Sequence, residues 1–239
     1  VKPPFVIPVR DRLSYLQELL AALAQDDHVG TIHLCDMGST WPETVAQLRI
    51  WQALNMPRLR VHFLRKNIGA RGLFVAPLFR KIVGDRPFFL SDPDVVPEVP
   101  CAKACLSVLT SHPRCWAKVG ISLRVDDLPD HYPRKQEVLQ WESKFRIHQC
   151  GSYDGSAVFA ADVATTYCLF RSINHVNGNG DGTPACRIGP PFTAKHLSWY
   201  EDPDKLLPDV KHYYENAPMR RWGVAEAGVS WSPLKPTSR

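Results

Sequence analysis

The chain has 239 residues, 44% of them hydrophobic and 22% charged, the size and balance of one globular domain with a substantial core rather than of a disordered or fibrous chain. Its net charge of +5 is spread over scattered pairs such as Arg65-Lys66 and Arg220-Arg221, which excludes a basic block suited to nucleic acid and fits small anionic substrates better. No run of about 18 apolar residues is present to span a bilayer, and VKPPFVIPVR lacks the order of a signal peptide, so we expect a soluble, cytoplasmic domain. The start at Val1 rather than Met fits a domain excised from a longer chain, through which any membrane association would arise.

In chain order, PFVIPV reads as a short buried strand and VRDR as a turn. SYLQELLAALAQ follows as a helix with a stripe of Leu16, Leu19, Leu20 and Leu23 and with Ser14 and Gln17 at capping-box spacing. TIHLCDMGS repeats the move, an apolar run ending at Asp36, and WPETVAQLRIWQAL is a second amphipathic helix. RVHFLR is a third strand, followed by KNIGARG and a helix LFVAPLFRKIV, and PFFLSD is a fourth. Alternating strands and helices predict an α/β fold with a mixed, mainly parallel sheet flanked by helices, whose ligands sit beyond the carboxyl ends of the strands. Arg10, Arg12, Asp36, Asn67, Arg71, Asp92 and Asp94 therefore converge on one edge of the sheet.

Beyond residue 97 the pattern loosens. A helix (CAKACLSVLTSH), a strand (KVGISLRV), the polar DDLPDHYPRKQ, a helix (EVLQWESKFR) and an alternating, strand-like SYDGSAVFAA precede a loop NGNGDGTP and the closing FTAKHLSWYEDPDK. With no repeat and no linker, residues 1–239 read as one domain, its first half, 1–97, carrying the binding edge of the sheet and its second, 98–239, facing a substrate. Seven cysteines without Cys-x-x-Cys spacing predict reduced thiols. Cys101, Cys105, His112 and Cys115 fall at no regular zinc spacing and read as apolar side chains rather than a metal set.

The sharpest signal is FFLSDPDVVP, a buried strand that ends in two carboxylates around Pro93. Buried carboxylates need compensation. One source is Mg2+ or Mn2+ completed by substrate phosphate oxygens, and the other is a turn whose N–H groups the two aspartates cap. FFLSDPDVV resembles the first motif of haloacid-dehalogenase phosphatases, with Asp126, Asp127, Asp130 and Lys118 as later counterparts. In that family, however, the motif closes the first strand, whereas three strand-turn-helix units precede it here.

The resemblance to a nucleotide-sugar glycosyltransferase of the GT-A fold, family 2 type, is broader and covers roughly residues 5 to 97. IPVRDR is similar to the family's opening strand and nucleotide loop, HLCDMGST to its base-facing strand, RKNIGARG to its diphosphate segment and SDPDVVP to its metal motif, the Asp-x-Asp. GPPFTAKHLSWYED resembles a C-terminal segment of some bacterial members. The resemblance implies that Pro8, Arg10, Arg12, Asp36, Asn67, Arg71 and Asp92 bind the nucleotide, with Asp36 on a base such as uracil and Arg71 near the diphosphate. It implies Asp94 and His196 as ligands of Mn2+ or Mg2+.

Inverting transfer also needs a base for the acceptor hydroxyl. Asp154 in SYDGS is the first candidate, with sugar binding or a structural turn as its alternatives, because the family's usual acidic pair is reduced here to one carboxylate. Glu142 is the second. Trp141 reads as a sugar-stacking ring or a core residue, and Asp126 and Asp127 as donor-sugar or acceptor ligands or as a solvated turn. The expected activity is metal-dependent transfer of a sugar from a UDP-sugar to a hydroxyl of a glycan or glycoconjugate, with inversion. The rivals are the phosphatase and a silent nucleotide-sugar-binding module.

Overall fold

A computed structural model describes residues 1–64, 66–164, 166–175 and 183–216. Strands β1 (Phe5–Val9), β2 (Ile32–Asp36), β3 (Leu59–Phe63) and β4 (Phe88–Leu90) pair in parallel in the order β3-β2-β1-β4. Helices α1 (Leu13–Ala24) and α2 (Pro42–Leu54), then α3 (Gly69–Val75) with α4 (Pro77–Val83), make the crossovers. Successive side chains of a strand point to opposite faces, and β1 is apolar on both. Phe5, Ile7 and Val9 join Leu16, Leu19 and Leu23 of α1 in one core cluster, while Val6 joins Leu73, Phe79, Ile82 and Val83 in the other.

Two local expectations are corrected. LFVAPLFRKIV is two helices rather than one, because Pro77 forces Ala76 to an extended ψ of 134°. Ser14 does not open a capping box either. The cap position of α1 is Arg12, in left-handed backbone and making no side-chain capping bond, and the Ser14 N–H and hydroxyl both donate to Asp209 Oδ2, at 2.7 and 2.8 Å. Asp209 stands in the first turn of α7 (Pro208–Asn216), so a carboxylate from the far end of the chain satisfies the start of α1.

The second half completes the sheet. Next to β4 lies β9 (Cys168–Phe170), antiparallel, and beyond it β6 (Lys118–Leu123). A long β10 (Ala185–His196) runs parallel to β6 and antiparallel first to β8 (Ser156–Ala160) and then to the short β5 (Val95–Pro97). With the edge strand β7 (Gln149–Tyr153), the sheet has ten strands among the described residues. The segment read as one strand, SYDGSAVFAA, is the β7-β8 hairpin. Asp154 (φ 46°) and Gly155 (φ 78°) form its turn, and positive φ at both central residues matches the right-handed twist of the flanking strands. Helices α5 (Ala102–Ser111) and α6 (Lys135–Ser143) lie where the sequence places them. Most of the Gly/Asn loop, residues 176–182, lies outside the described residues. No helix among the described residues is long and apolar enough to cross a membrane.

Five cysteines (Cys35, Cys101, Cys105, Cys168 and Cys186) are buried, and burial pushes the Cys35 and Cys101 thiols up to about 12. On β2 and β3, His33 Nδ1 lies 3.0 Å from His62 Nε2 with the rings stacked. Burial, then the charges of His62, Arg60 and Arg86, push His33 down to about 4. Its unfolded value is about 6.5, so the unfolded chain takes up the proton first as the pH falls. Stability is therefore expected to decline from pH ~6.5 to ~4, and His33→Gln to flatten that part of the profile in denaturant melts.

Candidate active site

The turn after β1 sets the site's floor. Asp11 (φ 51°) and Arg12 (φ 47°) both have left-handed backbone, which is unusual outside glycine and turns the chain sharply at the strand end. Asp11 is wholly buried, and its Oδ1 accepts the N–H groups of Thr40 and Trp41, both at 2.7 Å. Its own N–H donates to Ser39 Oγ at 2.9 Å, and the Ser39 N–H donates to Asp36 Oδ1 at 3.0 Å. One carboxylate thus ties the loop after β1 to the loop after β2. Sequence reasoning missed Asp11; the available signal was a lone carboxylate inside a basic turn at a strand end. Asp11→Ala leaves two buried N–H groups without an acceptor and is expected to cost about 3 kcal/mol in chemical denaturation.

Opposite this turn stands the Asp-x-Asp segment. Asp94 is buried, and its Oδ2 accepts from Arg12 Nη1 at 2.7 Å. His196 Nδ1 lies 3.9 Å from the same oxygen. The backbone sets that proximity: Val95 pairs with His196 across β5 and β10, and the Leu197 N–H donates to the Asp94 carbonyl at 2.7 Å. Burial favours the neutral acid at Asp94, but Arg12 and then His196 outweigh it and hold the carboxyl below its usual range. His196 is lowered, chiefly by burial, with Asp94 opposing. Ser198 Oγ lies 2.6 Å from its Nδ1 and Trp199 stacks on its face at 4.7 Å, which fixes the ring.

A buried polar network backs Arg12. Its guanidinium carbon lies 4.2 Å over the Tyr213 ring of α7. Next to it, Glu201 accepts from Tyr15 OH at 2.7 Å and from Tyr214 OH at 2.6 and 2.8 Å. Arg10 Nη2 donates to the Asn216 carbonyl at 3.0 Å, so α7 grips both arginines of the turn. Glu201 and Tyr213 were likewise not singled out from sequence. Three consecutive residues keep a buried polar atom without a partner, Arg10 Nε, Asp11 Oδ2 and Arg12 Nε. Such groups are costly unless a ligand uses them.

Of the other nucleotide candidates, Pro8 lies half-buried on β1 beside Cys35, Asp36 is buried at the end of β2, and Asp92 is half-buried beside the site. Asn67 is exposed in the turn before α3, and Arg71 lies on α3 with its side chain outside the described ones. Asp126 and Asp127 follow β6, whose last residue pairs with Ala194, and so stand near the rim that holds His196. Asp127 is held by Lys195 at 2.9 Å and by Tyr200 OH, and Arg124 links it to Asp126 and Glu98.

Asp154 is exposed at the tip of the β7-β8 hairpin, and the neighbouring Tyr153 packs on Phe192, four residues before His196. Glu142 is elsewhere. It is buried on α6 in an ion pair with Arg187 Nη1 at 2.9 Å, under the Phe145 ring that lies 3.7 Å from the guanidinium carbon. Trp141 is half-buried, with Lys144 Nζ 4.8 Å over its ring and Phe145 against its edge.

Asp94 and His196 bring one oxygen and one nitrogen donor of the kinds that suit Mn2+ or Mg2+. Among the described residues no group of three or more His, Cys, Asp or Glu side chains stands ready to hold an ion unaided. Asp94 and His196 would leave most of an ion's shell to substrate oxygens, an arrangement such ions take beside phosphates.

A parallel half with polar residues at its strand ends is extended by a second half that brings His196 beside Asp94, and the whole has the GT-A fold. Among solved structures, the mannosyltransferase PcManGT from Pyrobaculum calidifontis, in complex with GDP-Man and Mn2+, matches with a TM-score of 0.55 at 13% identity, over 82% of this chain and 57% of that one. GalNAc-T7, with UDP, GalNAc and Mn2+, matches at 0.56 and 10% identity over 82% and 44%, and S. aureus TarS at 0.50 and 12% over 82% and 36%. The chain thus spans between about a third and three-fifths of these proteins' lengths. No protein-family model and no curated protein matches the sequence.

Proposed function

We propose that this domain is a divalent-metal-dependent glycosyltransferase that moves a sugar from a nucleoside diphosphate sugar, UDP-linked in our reading, to a hydroxyl of a glycan or glycoconjugate. The observation that carries this reading is the meeting of Asp94 and His196 with the Arg10-Asp11-Arg12 turn, whose three unpartnered buried polar atoms call for a polar ligand. When bound, the metal supplies Lewis-acid neutralisation of the leaving diphosphate.

The protein's own groups do the rest. Asp94 and His196 would hold the ion, Asp36 and the loop that Asp11 ties down would receive the base, and Arg10, Asn67, Arg71 and Asp92 the ribose and diphosphate. Asp126, Asp127 and Trp141 are the sugar and acceptor contacts in this reading. Asp154, exposed on its hairpin, takes the acceptor proton in an inverting step, and Glu142 serves its ion pair with Arg187.

A thermal-shift panel of UDP, GDP and their sugars with and without Mn2+ tests the reading, since a ligand of the native state raises the melting temperature by mass action. UDP with Mn2+ is expected to give the largest shift, and no shift with any nucleotide would sink the proposal. Asp154→Asn is expected to keep the shift and lose transfer, and retained transfer would remove it as the base. A full shift without even slow donor hydrolysis by the unaltered protein would favour a silent binding module.

A further inference from the structure

The carboxylate that the metal needs is already paired. Arg12 reaches Asp94 Oδ2 at 2.7 Å, and the two side chains are only 12% and 4% exposed. Its direction is built in: Arg12 stands at the cap of α1 with φ 47°, directly after a second left-handed residue, and Tyr213 lies 4.2 Å beneath the guanidinium. Tyr213 is itself placed by α7, through Asp209 on Ser14 and Tyr214 on Glu201. The clamp is nevertheless incomplete, because Arg12 Nε is buried without a partner. A divalent ion beside Asp94 Oδ2 would meet the guanidinium at close range, where like charges in a buried site repel strongly.

Resting on the metal-dependent reading above, we propose that Arg12 is a resident counter-cation of this site. In the donor-free protein it neutralises Asp94 and keeps the divalent ion out, and it yields the carboxylate only when a nucleoside diphosphate brings the negative charge that holds ion and guanidinium together. Ion and nucleotide then bind as a coupled pair, each raising the other's affinity by the same factor. Arg12 acts as a positioning residue, setting the order of assembly rather than touching the reacting atoms.

The test is Mn2+ binding, read from the electron paramagnetic resonance signal of the free ion, on the unaltered protein, Arg12→Met and Tyr213→Leu, with and without UDP. The unaltered protein is expected to bind Mn2+ weakly alone and tightly with UDP. Arg12→Met should bind Mn2+ alone at least about tenfold more tightly, melt lower in EDTA and regain its melting temperature on adding Mn2+. Tyr213→Leu, which loosens the clamp without touching Asp94, should gain a few-fold in the same direction and decides the matter if Arg12→Met does not fold. If UDP confers tight Mn2+ binding on the unaltered protein but neither variant gains affinity for the ion alone, the counter-cation role is wrong and the metal-dependent reading stands. If no protein binds Mn2+ with or without UDP, both fall.

Discussion

Asp94→Ala is expected to abolish sugar transfer, on the order of 10³-fold or more, and also to destabilise the fold by about 3–5 kcal/mol. Both effects have the same origin. The carboxylate is a ligand of the proposed ion, and it is also the counter-charge of Arg12, which stays buried over Tyr213 once Asp94 is gone. Asp94→Asn separates the two, because the amide keeps an oxygen for Arg12 while losing the charge that the ion requires. It should melt closer to the unaltered protein yet transfer as poorly as Asp94→Ala. Near-normal transfer by either variant, measured as release of UDP from donor with acceptor present, would remove Asp94 from the site.

The second large effect lies away from the nucleotide loops. Glu142→Ala strands the Arg187 guanidinium, which is 4% exposed and whose Nε is already committed to the Asp162 carbonyl at 2.7 Å. Breaking such a pair on one side is expected to cost about 3–5 kcal/mol, whereas replacing both charges by apolar groups of similar volume can be neutral. Glu142→Leu with Arg187→Met should therefore recover most of the loss in urea melts, and the coupling between the two single changes is itself measurable. Burial raises the Glu142 carboxyl while Arg187 opposes it, which suits an anchor for α6 on β10. The double variant also decides between structure and chemistry. Folded and active, it leaves Glu142 an anchor; folded and inactive, it makes Glu142 the base in place of Asp154.

The first half of the fold was legible because each strand there is a short, largely apolar run followed by polar residues, a pattern that local sequence carries by itself. The same logic brought Arg12 and Asp94 to notice, His196 came from the family resemblance, and the fold does set the three side by side. What stayed hidden depends on partners far along the chain. Nothing near Ser14 announces that Asp209 will satisfy it from 195 positions away. Asp11 looks like one more charge in a basic turn until the backbone of Thr40 and Trp41 is brought to it. β10 was not read as a strand because Pro190 and Pro191 interrupt it, and the pairing register slips there between Ile188 and Thr193. The hairpin was misread although its Asp-Gly turn was in plain view, since the residues on either side alternate well enough to pass for one strand.

The many partners of β10 have a consequence for how the site comes into being. The strand borders β6, β8 and β5, and its last residue is His196, which pairs with Val95, so the contact of β10 with β5 is not complete until that residue has been made. Chains fold progressively from the N-terminus during synthesis, and contacts between distant residues close slowly. The parallel half can assemble from the first 90 residues, with Arg12 waiting for Asp94 82 positions downstream. The histidine reaches Asp94 last, and a chain halted before β10 would carry the strand-end loops without the histidine that stands beside Asp94.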